Sequence, residues 1–156
     1  MQPNAYPIVL KPGEGEAIDL GNFEMIVKAT GADTGGAFSL LEATEPPNFG
    51  PPLHIHHDCA EAFYVLEGEY RIFVEGAEHR CGAGSFILIP SGLRHSFRVG
   101  DKPSRKLNLY APAEMVGYFN DLSEAIAEGD ADPKRLDDIA RRHGMEVVGP
   151  VPEGYL

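Results

Sequence analysis

Pro51-Pro52-Leu53-His54-Ile55-His56-His57-Asp58-Cys59-Ala60-Glu61 is the stretch on which the reading of this chain turns. Three histidines and a glutamate fall within eight residues, behind a Pro-Pro pair. Successive side chains on a strand point to opposite faces, so His54 and His56 share one face and Ile55 takes the other. That spacing lets two imidazoles converge on one ion. Glu61 lies five residues beyond His56, an offset that one continuous strand would send to the wrong face. A turn at His57-Asp58-Cys59-Ala60 would start a neighbouring strand and bring Glu61 back across. His95 must come from farther away, on a strand that begins after the turn Pro90-Ser91-Gly92.

Around these residues the chain reads as short strands punctuated by turns. Strand candidates are 6–10, 16–29, 37–44, 61–66, 69–74, 86–89, 95–99 and 105–110, and Met145-Glu146-Val147-Val148 is a last extended piece. Phe23, Met25 and Val27 show the period-two alternation of a half-buried strand. Gly31 to Gly36 and Glu75-Gly76-Ala77-Glu78 read as turns. Short strands at this spacing, with Gly and Pro between them, predict an all-β sandwich or barrel.

The last third changes character. Pro112 suits the first turn of a helix carrying Met115, Val116, Tyr118 and Phe119, and Asp121 with Glu124 resembles a capping box for a further turn or two. Asp132-Pro133 is a helix start, an N-cap followed by Pro at the first helical position. Leu136, Ile139 and Ala140 follow at helical spacing, and Gly144 is the expected stop. Residues 1–111 are therefore read as the barrel. Residues 112–156 are read as a helical tail packed on it, too small for a core of its own.

Composition narrows the function classes. A length of 156 residues suits one domain with a real core. The net charge of −11 argues against non-specific nucleic-acid binding and against an anionic membrane surface. No apolar run approaches the roughly 18–20 residues of a membrane span, and Met1 to Pro7 lacks the pattern of a secretion signal. Two cysteines, Cys59 and Cys81, make no disulfide framework, which fits reduced thiols in the cytoplasm.

Three neutral imidazoles and one carboxylate suit one divalent transition metal ion: iron, manganese, nickel, copper, cobalt or zinc. His54, His56, Glu61 and His95 are the candidate ligands. They would leave one or two coordination positions for water, dioxygen or substrate. His57 and Cys59 are expected to face away from the ion, with His79 and His143 on the surface. Tyr64, Phe73, Phe86, Phe97 and Tyr110 are expected in the barrel core, and one or two of them beside a pocket. Glu42, Asn108 and Tyr110 are candidates for orienting a ligand.

The chain resembles the cupin superfamily. His54, His56, four residues, Glu61, six residues and Gly68 follow its first motif; Gly84, five residues, Pro90-Ser91-Gly92, two residues and His95 follow its second. The motif core spans about residues 50–99. Gly50 stands three residues before His54 where the family has five, and Val99 replaces the closing Asn of the second motif. The resemblance implies a double-stranded β-helix, a jelly-roll barrel with the metal inside, and a short C-terminal helical appendage. Small members of this kind are often homodimers. The run from Pro51 to Gly68 is similar to the quercetin 2,3-dioxygenase-like members. That similarity implies a metal-dependent dioxygenase acting on a small enol or phenol substrate, with Glu61 as the base that takes the substrate proton. A metal-dependent isomerase, cyclase or decarboxylase that uses no oxygen, and a non-catalytic small-molecule-binding protein, share the same scaffold.

Overall fold

A computed structural model describes residues 2 and 5–150. Eleven strands and three helices are present among them. In chain order these are β1 (Glu16–Asp19), β2 (Glu24–Ala29), α1 (Gly31–Thr34), β3 (Ser39–Glu45), β4 (Leu53–His56), β5 (Ala60–Glu67) and β6 (Glu69–Val74). Next come β7 (Ala77–Gly82), β8 (Phe86–Ile89), β9 (His95–Val99), β10 (Ser104–Ala111), α2 (Met115–Ala127), α3 (Pro133–Arg142) and β11 (Met145–Gly149).

The strands form two antiparallel sheets facing each other in a jelly roll. One has the order β1-β2-β3-β10-β5-β8 and the other β11-β4-β9-β6-β7. Alternation sets the inward faces. Along β3, Ser39, Leu41, Ala43 and Glu45 are buried; along β10, Ser104, Lys106, Asn108 and Tyr110 are. The apolar interior has two parts. Phe63, Val65, Tyr70, Ile72, Ile89, Phe97 and Val99 fill one end between the sheets. Met25, Leu41, Cys59 and Tyr110 meet Met115 of α2, Ala140 of α3 and Met145 of β11 at the other.

Two tight turns explain their residues. Gly68, between β5 and β6, has φ +78, and a Cβ there would overlap the Ser104 side chain. Ser104 Oγ in turn accepts the Glu69 N–H at 3.0 Å, so β6 is tied to β10 at this point. Gly144 ends α3 with φ +69, and a Cβ would overlap the Asp58 carboxylate.

The structure departs from the sequence expectations in five places. Residues 6–10 form no strand, and Ile8, Val9 and Leu10 are exposed; apolar composition alone does not provide a sheet edge to pair with. The 16–29 stretch is two strands, because Leu20 to Phe23 turn the chain so that β1 pairs back on β2. The expected turn after Thr30 holds the one-turn helix α1, with the Thr30 N–H donating to Asp33 Oδ2 at 2.8 Å. Ala77–Gly82 is a strand, β7, with mostly exposed polar side chains. No restart occurs at Asp121: α2 runs through it, and its carboxylate meets His143 Nε2 at 2.7 Å. Gly117 in the preceding turn lacks the Cβ that His143 would meet at 2.9 Å.

The start of α3 follows its sequence cue. Asp132 accepts from the Arg135 N–H at 3.0 Å, with Pro133 in the first turn. β11 then pairs antiparallel with β4, setting Met145 opposite His56 and Val147 opposite His54. The segment beyond α3 is thus a sheet member at the strand that carries both histidines.

Candidate metal centre

His54 and His56 alternate with Ile55 on β4, and both imidazoles point inward. Antiparallel β9 sets His95 directly opposite His54, with ring centroids 4.3 Å apart. The chain turns between β4 and β5, and Glu61 enters from the other sheet, paired with Tyr110 of β10. One ligand atom from each of the four residues lies within 4.8 Å of every other, and all four residues are buried. The sequence expectation named these four; the fold brings them together.

The separations suit one ion. Glu61 Oε2 is 2.7 Å from His95 Nε2 and 3.1 Å from His56 Nε2. Neighbouring donors about 2.1 Å from a shared divalent ion sit about 3 Å apart. Two of the rings are also oriented from behind. His54 Nδ1 donates to the Pro52 carbonyl at 2.8 Å, and His95 Nδ1 donates to the Leu93 carbonyl at 2.9 Å. Each bond fixes the tautomer that leaves Nε2 free to coordinate. His56 Nδ1 is buried without such a partner among the described residues; its ring makes an edge contact with Tyr110 at 5.7 Å instead. The donor set fits a divalent metal ion.

The electrostatics point the same way. Burial draws the His54 pKa down to about 4, and the neighbouring His95 adds to this, so the ring is neutral at physiological pH. Burial alone would raise the Glu61 carboxyl, but charge and hydrogen bonds from His56 and His95 outweigh it and hold Glu61 well below the usual carboxylate range. Burial lowers His95 while its bond to Glu61 raises it, with a net rise. Burial and the Glu61 charge hold the Tyr110 phenol well above its ordinary value, so it stays protonated beside the carboxylate.

His54, His56, Glu61 and Tyr110 line a cavity of about 290 Å³, near the lower end of small-molecule sites. Phe23, Met25, Phe49 and Phe97 contribute apolar walls, and Met115, Tyr118 and Phe119 of α2 close one side. Asn108, Tyr110 and Glu45 add polar groups.

Other sequence candidates fall elsewhere. His57 faces outward and pairs with Glu146 of β11 at 2.8 Å. Cys59 is buried outside the four-residue cluster, and burial with the Glu61 charge pushes its thiol up to about 12. His79 is exposed, whereas His143 is partly buried on Asp121. Glu42 lies on the outer face of β3 and binds Arg105 at 2.9 Å, so it does not reach the cavity. Tyr64 and Phe86, expected in the core, are exposed on the outer face of β5 and β8. Glu45 and Lys106 were not among the sequence candidates. The parity of β10 carried the signal for Lys106, because Tyr110 and Asn108 share its face.

Residues 41–110 match the family model described as Cupin domain. The chain carries a cupin domain. The quercetin 2,3-dioxygenase of Bacillus subtilis (strain 168) is 24% identical over 142 residues, 91% of this cupin. This cupin spans only 42% of that enzyme's length. Among solved structures, KdgF from a Halomonas species superposes with a TM-score of 0.61 at 16% identity, covering 69% of this chain and 94% of that one. A predicted oxalate decarboxylase from Thermotoga maritima gives a TM-score of 0.60 at 24% identity, covering 67% and 99%. At these identities the structural likenesses establish the jelly-roll fold. No described helix is long and apolar enough to cross a membrane.

Proposed function

We propose that this cupin is a metal-dependent dioxygenase acting on a small molecule that carries an enol or phenol hydroxyl beside a ketone. His54, His56, Glu61 and His95 hold the ion. The observation that carries the proposal is the convergence of four buried donors, three of which line a largely apolar cavity. The likeness to the B. subtilis quercetin 2,3-dioxygenase supplies the substrate class.

When bound, the ion supplies positive charge that acidifies a substrate hydroxyl and, if redox-active, a path for electrons to dioxygen. The Glu61 carboxylate accepts the hydroxyl proton. A hydroxyl acidified by the ion can give its proton to a carboxylate, so the base works on a chelating substrate. Tyr110, protonated and adjacent, steadies the carboxylate. Phe49, Phe97 and Met25 pack on a flat substrate and keep bulk water from it.

Elemental analysis of tag-free protein, followed by oxygen uptake with quercetin or a 1,3-dicarbonyl, tests the assignment. Oxygen should be consumed with substrate. Glu61→Gln should lower kcat about 100-fold or more while much of the metal stays bound. Equal conversion without oxygen would refute the dioxygenase and assign a Lewis-acid isomerase, cyclase or decarboxylase. A tight ligand complex without conversion would assign a binding protein.

We further propose a homodimer. Phe86, Leu88 and Tyr64 expose apolar side chains together on and beside β8, an edge strand, and such patches mark contact surfaces. Sedimentation velocity should show a dimer that Leu88→Glu weakens; a monomeric wild type would refute it.

A further inference from the structure

The cavity is longer than the donor cluster needs. His54, His56 and Glu61 line it, and so do Met145 and Val147, their neighbours across the β4–β11 pairing. From there α2 forms a continuous wall. Met115, Tyr118, Phe119, Leu122 and Ile126 all line the cavity, and they recur at the three- and four-residue spacing of one helical face. That stripe extends about 16 Å along the helix axis.

Both ends of the stripe are fixed. Toward the donors, Phe119 lies 6.0 Å from the Tyr110 ring, which lies 5.7 Å from that of His56. Away from them, α2 is tied to the β1–β2 turn. Ser123 Oγ donates to the Asp19 carbonyl at 2.5 Å, and a Cβ on Gly21 would meet Ile126 at 3.3 Å. Yet the stripe is not fully seated. Only Met115 and Ala125 of α2 are buried. Tyr118, Phe119, Leu122 and Ile126 stay half-buried, as does Leu136 of α3, which lines the same cavity. A helix kept only to cover the barrel would bury such side chains, because each leaves apolar area in water.

The polar residues along this space are engaged or exposed. Lys106 Nζ donates to Glu45 Oε1 and to Asn108 Oδ1, both at 2.8 Å, and the Tyr70 hydroxyl bonds Glu45 as well. Asn22 is exposed, and Tyr118 brings the one hydroxyl of the stripe. No lysine or arginine lines the cavity among the described residues. An anionic or phosphorylated tail would meet no countercharge there, and a polyhydroxylated one would turn hydroxyls onto apolar walls at a cost.

We propose that the α2 stripe is a tail subsite: beyond its chelating head, the substrate of this cupin carries an unsubstituted hydrocarbon tail that lies along Phe119, Leu122 and Ile126. The subsite rests on the function proposed above, which supplies the head. It makes the helical appendage a specificity element of the site.

The test measures binding to the zinc-loaded protein, where no turnover intervenes. Two probes suffice: acetylacetone, a chelating head alone, and its homologue with pentyl in place of one methyl, which adds four methylenes. Full burial of four methylenes would be worth about 200-fold in affinity. Lost tail rotation offsets part of this, so wild type should bind the homologue at least about tenfold more tightly. Leu122→Trp fills the subsite and should bring the two affinities within about threefold of each other. Because a bulky residue can shift α2, Leu136→Trp narrows the same space from α3 and should erode the preference likewise. Elemental analysis checks that both variants keep their zinc. Equal binding of both probes by wild type, or a preference that survives in both variants, overturns the subsite and leaves the metal chemistry standing. If neither probe binds the wild type, the enol-binding site itself is wrong, and the subsite falls with it.

Discussion

Lys106→Met gives a direct measure of the charge pair inside the barrel. The substitution keeps much of the stem volume among Phe63, Tyr70 and Phe97 but removes the ammonium, and with it both 2.8 Å bonds. Glu45, 2% exposed, is then a buried carboxylate with no cation. Breaking one side of such a pair costs about 3–5 kcal/mol, against about 5–15 kcal/mol for a whole domain. At about 2–4 °C per kcal/mol for a chain of this size, Tm should fall by about 6–20 °C. Glu45→Leu/Lys106→Met should recover at least half of the loss, since an apolar pair of similar volume has no charge to strand. Urea unfolding of the metal-free protein reads both variants without linkage to bound metal. A loss under about 1 kcal/mol for the single variant, or a double variant as unstable as the single one, would refute the view of Lys106 as the cation that compensates the buried Glu45 charge.

Three further outcomes follow from the site and its frame. The His54 pKa, about 4 when folded against 6.5 in an unperturbed chain, means the unfolded state binds the proton first; metal-free protein should lose about 3 kcal/mol from this group as pH falls through that window. His54→Gln should flatten the fall in urea midpoint between pH 7 and 4.5, and an unchanged profile would count against the assignment; His95, raised instead, acts with opposite sign, adding stability below 6.5 that is lost as pH rises through its folded value. Gly68→Ala should cost about 2 kcal/mol or more, measured by urea unfolding, because it combines positive φ with overlap on Ser104; a neutral result would mean the β5–β6 turn relaxes freely. His57→Ala should leave metal stoichiometry intact and cost under about 1 kcal/mol, since it removes only the exposed contact to Glu146; loss of metal on elemental analysis would place His57 in the site.

Much of the site was legible because its determinants are local. His54 and His56 are two apart on a strand, the short turn between β4 and β5 brings Glu61 back to them, and Pro90-Ser91-Gly92 opens the way to the strand that carries His95. What escaped is non-local or reversed in polarity. β10 buries Lys106 and Asn108 while Leu107 and Leu109 lie less buried on its other face, so hydrophobic alternation points the wrong way there. β7 is an edge strand with polar side chains, and its pairing with β6 left no apolar trace. Residues 6–10 carry the opposite error, apolar residues with no strand. The pairing of β11 with β4 joins segments far apart in sequence, and no periodicity in either announces the other.

That last pairing bears on when the site can exist. β4 lies between β9 and β11, so the strand bearing His54 and His56 is completed only by residues made long after it. A nascent chain that had reached residue 111 would contain all four donors, yet β4 would lack its outer neighbour, and α2 and α3 would not yet cover the cavity. Long-range strand pairing of this kind is slow and leaves edges open to wrong partners. The four candidate donors therefore reach their final arrangement only after β11 has been made, and any ion they hold is taken up by a chain in which β4 is already paired on both sides.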